Sequence, residues 1–328
     1  MKKRNVFLSG LLAATVILGA CGSSSSTSSG ENESNDSSGE KYVAVVSKGF
    51  QHQFWQSVKK GAEKAADEFD VKVTFEGPES ESQIDKQIEM LKAAIEKKPD
   101  AIGFAALDSK ASLSLLEDAK SKDIPVIAFD SGVESDIPLT TASTDNRAAA
   151  ALAAEKMAEA IDRKGKIAIV AHDQTSLSAT DRRDGFKEKI EKDFPDIEIV
   201  DIQYGGGDQL KSTDLAKTMM QAHSDLKGIF GTNEGSAIGV VNAAQEMNKK
   251  GKIVIVGFDS GKQQLDAIRD GLEYGAVTQN PVGIGYETVK AAVEATEGKE
   301  LPKTIDTGFY WYDKDNIDSD EIKAAVYE

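Results

Sequence analysis

The sequence predicts an α/β protein built as two doubly wound parallel-sheet lobes. Two observations point there first. Short apolar runs alternate with longer segments of helical periodicity from residue 41 onward, the pattern of parallel strands joined by right-handed crossovers. That alternation stops after residue 130 and starts again near residue 147. A third is length: the roughly 290 residues after the N-terminal segment are too many for one ordinary domain and suit two.

The elements follow in order. Tyr42-Val43-Ala44-Val45-Val46 is apolar without alternation, as expected of a strand covered on both faces. Phe54, Val58, Ala62, Ala65 and Phe69 recur at helical spacing and predict a helix over 54–69. Next come strand 71–75, a helix over 82–97 ended by Pro99, strand 101–106, helix 111–121 and strand 124–129. The second run reads helix 147–161, strand 166–170, helix 183–192, strand 197–202 and helix 209–223. It finishes with strand 228–230, helix 236–248, strand 253–256 and helix 262–269. The two runs share a pattern, not a short-period repeat.

The first forty residues are of another kind. Lys2, Lys3 and Arg4 precede an apolar stretch from Val6 to Ala20, so residues 1–20 are expected to be a secretory signal, short for a membrane span. Leu18-Gly19-Ala20-Cys21 resembles the bacterial lipobox, in which the cysteine is lipidated. Cys21 is the only cysteine, so no disulfide forms within the chain. Each acyl CH2 buried in the bilayer would contribute about 0.8 kcal/mol, which would hold the protein to the outer face of the cell membrane. Beyond Cys21, residues 22–40 are rich in Ser, Gly and acids and hold no aliphatic or aromatic side chain. Residues 21–40 are therefore expected to form a lipidated, disordered tether.

Composition excludes several functions. A formal charge of −16 argues against nucleic acid or an anionic membrane surface as partner. The three histidines, His52, His172 and His223, form no pair at metal-ligand spacing. No nucleophile elbow or phosphate loop appears. Gly283-x-Gly285 lacks a third glycine and reads as close packing. His172 and Asp173, at a strand end, are the acid–base candidates for an exported hydrolase. No cofactor or metal is implied.

Open α/β sheets bind ligands beyond the C-terminal ends of their strands. Those positions are Ser47 to Trp55, Ala106 to Asp108, Asp130-Ser131, His172 to Ser176, Thr232-Asn233-Glu234 and Asp259-Ser260. Polar and aromatic residues dominate them.

Several motifs then occur in a telling order. Val45-Val46-Ser47 leads to Phe54-Trp55 and Gly61-Ala62, and Ile124-Pro125-Val126-Ile127 leads to Phe129-Asp130. Ser143-Thr144-Asp145-Asn146, Arg182 before Gly185-Phe186, and Phe230-Gly231-Thr232-Asn233-Glu234 follow. Val256-Gly257-Phe258-Asp259 and Val277-Thr278-Gln279 close the set. In this order, across nearly all of 41–328, the chain resembles the periplasmic sugar-binding proteins of the ribose-binding type, the type I solute-binding proteins of ABC importers. Their core is shared with LacI-type repressors.

The resemblance implies a three-segment hinge crossed near Asp145, Gln279 and Lys303. Residues 41–144 plus 280–303 would form the N-terminal lobe, and 145–279 plus 304–328 the C-terminal lobe. It places the family's aromatic pair on Phe54 and Trp55, flat faces for sugar C–H groups; Phe54 also fits a purely core role. Asp130 and Asp259 would accept hydroxyl hydrogen bonds, with helix capping the alternative for Asp259. Arg182 offers a planar donor fork. Asn233 and Gln279 can donate and accept at once, although a loop turn or a hinge bond would also explain them.

Departures from the ribose type are equally informative. His52 stands where an asparagine is usual, in a loop one residue longer. Ala105 replaces an asparagine, Ser131 an arginine, and Gly205-Gly206-Gly207 covers the place of a pocket phenylalanine. Ribose itself is therefore not carried over as the ligand. Gln51, His52, Asp108, Ser131, Asp173 and Gln174 are candidate replacements. Thr74-Phe75-Glu76-Gly77-Pro78 and Asp173-Gln174 are similar to the autoinducer-2 binding branch of the superfamily.

The expectation is a monomeric, extracytoplasmic solute-binding lipoprotein, not an enzyme. It would take a neutral monosaccharide or polyol and deliver it to an ABC permease. The alternative is a sensor component presenting its ligand, including an autoinducer-2-like one, to a signalling receptor. A transcriptional regulator is disfavoured by the export signal and the lack of an N-terminal helix-turn-helix.

Overall fold

The computed structural model describes residues 40–327. The expected signal segment, Cys21 and the tether up to residue 39 lie outside them. Residues from 40 onward form one compact unit.

The first run of elements is β1 (Tyr42–Val46), α1 (Gln53–Phe69), β2 (Lys72–Glu76), α2 (Ile84–Glu96), β3 (Ala101–Phe104), α3 (Leu113–Ser121), β4 (Val126–Phe129) and β5 (Thr140–Ser143). The second is α4 (Asn146–Ala160), β6 (Gly165–Ala171), α5 (Leu177–Asp193), β7 (Ile197–Tyr204), α6 (Gln209–Ala222), β8 (Leu226–Gly231), α7 (Glu234–Glu246), β9 (Val254–Phe258), α8 (Lys262–Arg269) and β10 (Gly275–Gln279). Then follow α9 (Pro281–Thr296), β11 (Thr304–Asp306), β12 (Phe309–Asp313) and α10 (Asp320–Ala325).

Two six-stranded sheets result, in the orders β11-β5-β4-β3-β1-β2 and β12-β10-β9-β8-β6-β7. The first is parallel throughout. In the second only β12 runs antiparallel, beside β10. The central strands are apolar at every position because each face is covered. Val43 and Val45 meet α1 and α9, whereas Ala44 and Val46 meet α2 and α3. In the second lobe Ile167 and Ile169 face α4 and α5, and Ala168 and Val170 face α6 and α7. Phe186 of α5 stacks on Phe230 of β8 with ring centroids 4.4 Å apart. Each such large side chain withdrawn from water stabilises the fold by about 1.5–3 kcal/mol.

α9 returns to the first lobe and packs on α1. The approach is closest at two glycines: a Cβ at Gly285 would run into the Val58 carbonyl, and one at Gly61 into the Val282 carbonyl. Gly285 thus has the packing role its sequence context suggested.

The chain passes between sheets after β5, after β10 and between β11 and β12. The last passage differs from expectation. Lys303 does not make it, because Thr304–Asp306 first add a parallel strand to β5, and the crossing falls at Thr307-Gly308. A three-residue edge strand is too short for periodicity to declare its sheet. The crossings are tied together: Thr307 N donates to Ser143 O, and Thr144 Oγ1 to Gly308 O. The C-terminal end stays with the second lobe through α10 and Ser260 but also reaches the first, where Tyr327 meets Phe54 edge to face.

α5 begins at Leu177, not near 183. Ser176 caps it by accepting from Ala179 N at 3.3 Å. The serines and threonine of its first turn are weak helix formers that favour caps and turns, which hid the true start. Among the described residues no helix is long and apolar enough to cross a membrane, and no cluster of three metal-ligating side chains occurs.

Candidate functional site

A narrow, nearly filled cavity of about 10 Å³ lies between the two sheets' strand ends. It is lined by Lys48, His52, Phe54, Trp55, Glu81 and Asp130 from the first lobe. His172, Ser178, Arg182, Asn233, Asp259 and Gln279 line it from the second. All eight principal candidates from the sequence are therefore brought together. A larger, more open cleft beside Glu273, at the other end of the second sheet, holds none of them.

The parallel topology aims these side chains. Asp130 and Asp259 follow β4 and β9 directly, and both backbones turn through left-handed conformations (φ 55° and 77°). Such conformations are uncommon for residues other than glycine and concentrate at functional sites. Phe54 and Trp55 stand in the first turn of α1, their rings edge to face at 5.0 Å. Asn233 caps α7, its Oδ1 accepting from Ser236 N, which leaves its amide nitrogen free to point at the first lobe.

Polar contacts fix the walls. Arg182 Nε donates to Asn146 Oδ1 at 2.7 Å and Nη1 to Thr232 O at 3.0 Å. Its guanidinium lies 3.8 Å from the Phe258 ring centroid. Asp259 accepts from Glu234 N and Gln279 Nε2 and stands 3.9 Å from Arg182. Lys48 Nζ donates to Ser178 Oγ at 3.1 Å and lies 4.0 Å from Asp130. Glu81 accepts from Trp55 Nε1 at 2.7 Å and from Asn233 Nδ2 at 3.2 Å.

Burial and neighbouring charge compete here. Burial pushes the Asp130 carboxyl up to about 6 despite Lys48 and Arg182. Burial also works against Glu81, but Lys48, His52, the Trp55 N–H and Arg182 hold it below its ordinary value. His172 is driven well below the usual histidine range by burial, then by Lys48, Arg182 and His52. It is therefore neutral, its Nδ1 within 2.7 Å of Thr232 Oγ1. Two cations thus face two or three carboxylates, so the wall is close to charge balance.

Two buried polar atoms of the wall have no protein partner: His52 Nδ1 and Gln279 Oε1. Gln51 fixes what His52 offers. Its Oε1 accepts from Glu81 N, and its Nε2 donates to Gly207 O and stands 2.9 Å from His52 Nε2. An amide nitrogen can only donate, so in neutral His52 the proton sits on Nδ1. The wall therefore holds one unsatisfied donor and one unsatisfied acceptor.

The remaining candidates lie elsewhere. Gln51 supports His52 without lining the cavity. Ser131 Oγ accepts from Ser178 N at 3.3 Å, just outside it. Asp108 accepts from Lys110 N and Ala111 N, and Asp173 from Thr175 N and Ser176 N, so each stabilises its own loop. Short acidic side chains commonly bond to backbone two or three residues on, which is why a strand-end position alone misplaced them. Gln174 lies with Asp108 at a separate surface cleft, so neither residue of the Asp173-Gln174 pair lines the cavity. Lys48, Glu81 and Ser178 were not singled out in the sequence. Lys48 sat unremarked in the first strand-end segment, and Glu81 follows an edge strand in an acidic, serine-rich stretch that reads as solvated.

The sequence matches the periplasmic binding protein domain over residues 43–300. The chain belongs to the periplasmic binding protein domain family. Within it, the chain is similar to the ribose import binding protein RbsB of Bacillus subtilis (strain 168). The two are 28% identical over 253 residues, covering 77% of this chain and 80% of the relative. Among solved structures, an ABC transporter solute-binding protein from Agrobacterium vitis with bound D-fucose matches with a TM-score of 0.84 and 33% identity. The match covers 87% of this chain and all of that one. A carbohydrate transporter solute-binding protein from Agrobacterium radiobacter in complex with D-arabinose gives 0.86 and 28%, covering 89% and 100%.

Proposed function

We propose that this protein is the extracytoplasmic solute-binding component of an ABC importer and that it takes a neutral monosaccharide or similar polyol into the cavity. Asp130, Asp259 and Gln279 accept hydrogen bonds from hydroxyls, Arg182, Asn233 and His52 donate, and Trp55 and Phe54 offer ring surface to the C–H face. The two lobes close on the ligand and the closed form is handed to the permease, with no chemistry performed on the sugar. Cys21 carries the lipid that keeps the monomer at the outer face of the membrane. A similar protein named for ribose and two solved with D-fucose and D-arabinose bound support a neutral-sugar ligand.

The observation that carries this reading is the unsatisfied buried pair, His52 Nδ1 and Gln279 Oε1, inside a wall of nearly balanced charge. A buried donor or acceptor left without a partner costs about 1–3 kcal/mol. A polyol hydroxyl satisfies either atom and adds no charge.

A thermal-shift panel of D-ribose, D-allose, D-arabinose, D-fucose and D-tagatose tests it. At a hundredfold excess over Kd, a bound sugar raises stability by about 2.7 kcal/mol. No shift with any sugar or polyol, but a shift with carboxylates or phosphates, would refute the neutral-ligand reading.

A further inference from the structure

Six helices supply their own N-terminal cap: Asp145, Ser176, Asp208, Asn233, Asn280 and Ser319 each accept from a first-turn N–H. Helices α1, α2, α3 and α8 do not, and of these α1 and α8 face each other across the rim of the cleft. The residue before α1 is His52 and the residue before α8 is Gly261, and neither side chain caps its helix. Each helix is capped from the opposite lobe instead. The Glu234 carboxylate, on the second lobe, accepts from Gln53 N and Phe54 N, both at 3.2 Å. Gln53, on the first, returns the contact: its Oε1 accepts from Lys262 N at 2.7 Å.

The geometry points to Glu234 as a positioning residue that sets how long the lobes stay shut on a ligand it does not touch, with Gln53 as its reciprocal partner. Glu234 is not part of the cavity wall, but it connects to two residues that are. Its own N–H donates to Asp259 Oδ2 at 2.9 Å, and Asn233, its neighbour in sequence, donates to Glu81. The start of α7 thus reaches the first lobe twice, through Asn233 inside the cavity and through Glu234 outside it.

The packing is cut to fit this contact. A Cβ at Gly261 would lie 2.7 Å from the Glu234 carboxyl carbon. A Cβ at Gly207 would lie 2.7 Å from Glu81 Oε2, so a side chain there would displace the carboxylate that meets Asn233 across the cleft. Opening the cleft leaves two helix starts uncapped at once and returns a buried carboxylate to water.

This inference rests on the proposed sugar-binding role, and the test separates the two. Wild-type, Glu234→Ala, Glu234→Gln and Gln53→Ala full-length chains are compared by stopped-flow dissociation of whichever panel sugar shifts the wild type most, and by small-angle scattering without sugar. A lost N-cap carries roughly a tenfold effect. Glu234→Ala is expected to speed dissociation about tenfold with association and sugar ranking unchanged, because affinity differences between related complexes reside mostly in dissociation. Glu234→Gln, which keeps one acceptor oxygen, is expected in between, and Gln53→Ala to act in the same direction. The ligand-free scattering profile of Glu234→Ala shifts toward the open form.

A changed sugar ranking would make Glu234 a ligand contact and overturn the assignment. A lower ligand-free melting temperature with an unchanged dissociation rate would reduce it to a fold-stabilising residue. If no sugar binds the wild type, the sugar reading fails by itself and scattering alone decides the latch: superimposable wild-type and Glu234→Ala profiles refute it.

Discussion

Replacing Glu273 by glutamine should make the protein more stable near neutral pH and remove a large part of its alkaline instability. Glu273 precedes β10 and is 2% exposed. Its Oε1 accepts from Gln264 Nε2 at 3.3 Å, and its Oε2 has no partner, nor does Gln264 Oε1. No cation pairs with it among the described residues. Burial pushes its carboxyl up to about 8 against that single hydrogen bond. The folded state therefore holds a proton that the unfolded chain has released. For a carboxyl raised in the folded state, stability falls with rising pH from its unfolded value to its folded one. Below about pH 4.5 both states are protonated and nothing is lost. At pH 7 the penalty approaches about 3 kcal/mol at 1.36 kcal/mol per pKa unit, and it levels off above about pH 8. The assay is urea denaturation of wild type and Glu273→Gln at about pH 5, 7 and 9, because the difference cancels the general repulsion of an acidic chain. The two proteins should be close at the lowest pH, with the variant ahead by an increasing margin to the highest. A difference that stays flat across the range would refute the claim that Glu273 is buried as the neutral acid.

Sugar affinity should weaken as the medium is acidified through pH 6, since Asp130, pushed up to about 6, accepts hydroxyl hydrogen bonds more strongly, and on both oxygens, when ionised. Calorimetry should show Kd rising below that value, by at most about tenfold per unit. Glu81 stays ionised and His172 stays neutral over the same range, so Asp130→Asn should abolish the slope; a slope that survives would assign it to another group. Gly285→Ala should destabilise the first lobe by about 1–3 kcal/mol by forcing α9 off the Val58 carbonyl. Melting at wild-type temperature would mean that the two helices have slack.

The architecture was legible because central parallel strands, covered on both faces, read as apolar runs. The candidate site was legible for a related reason: such sheets gather the residues just past their strand ends, and Asp130, His172, Asn233 and Asp259 occupy those positions on four strands. Elements were missed where the signal was short or masked, as with the three residues of β11 and the serine-rich start of α5. Asp108 and Asp173 satisfied the same positional rule yet bond to their own loops, a choice made by loop geometry over two or three residues.

Glu81 shows a different limit. Nothing in Glu79-Ser80-Glu81-Ser82 marks one acid as buried, because its burial is decided in the other lobe. At Gly207 the backbone has φ +68°, and a Cβ there would lie 2.7 Å from Glu81 Oε2 and 3.4 Å from Gln51 Nε2. This glycine belongs to the stretch where the resemblance to the ribose type implies a pocket phenylalanine. The space beside Gly207 is taken by Glu81 and Gln51 from the first lobe. The Glu81 carboxylate there accepts from Trp55 and Asn233, and the Gln51 amide nitrogen stands 2.9 Å from His52 Nε2. At that end of the cavity the contacts are therefore hydrogen bonds, from Trp55 and Asn233 to Glu81 and from Gln51 behind His52.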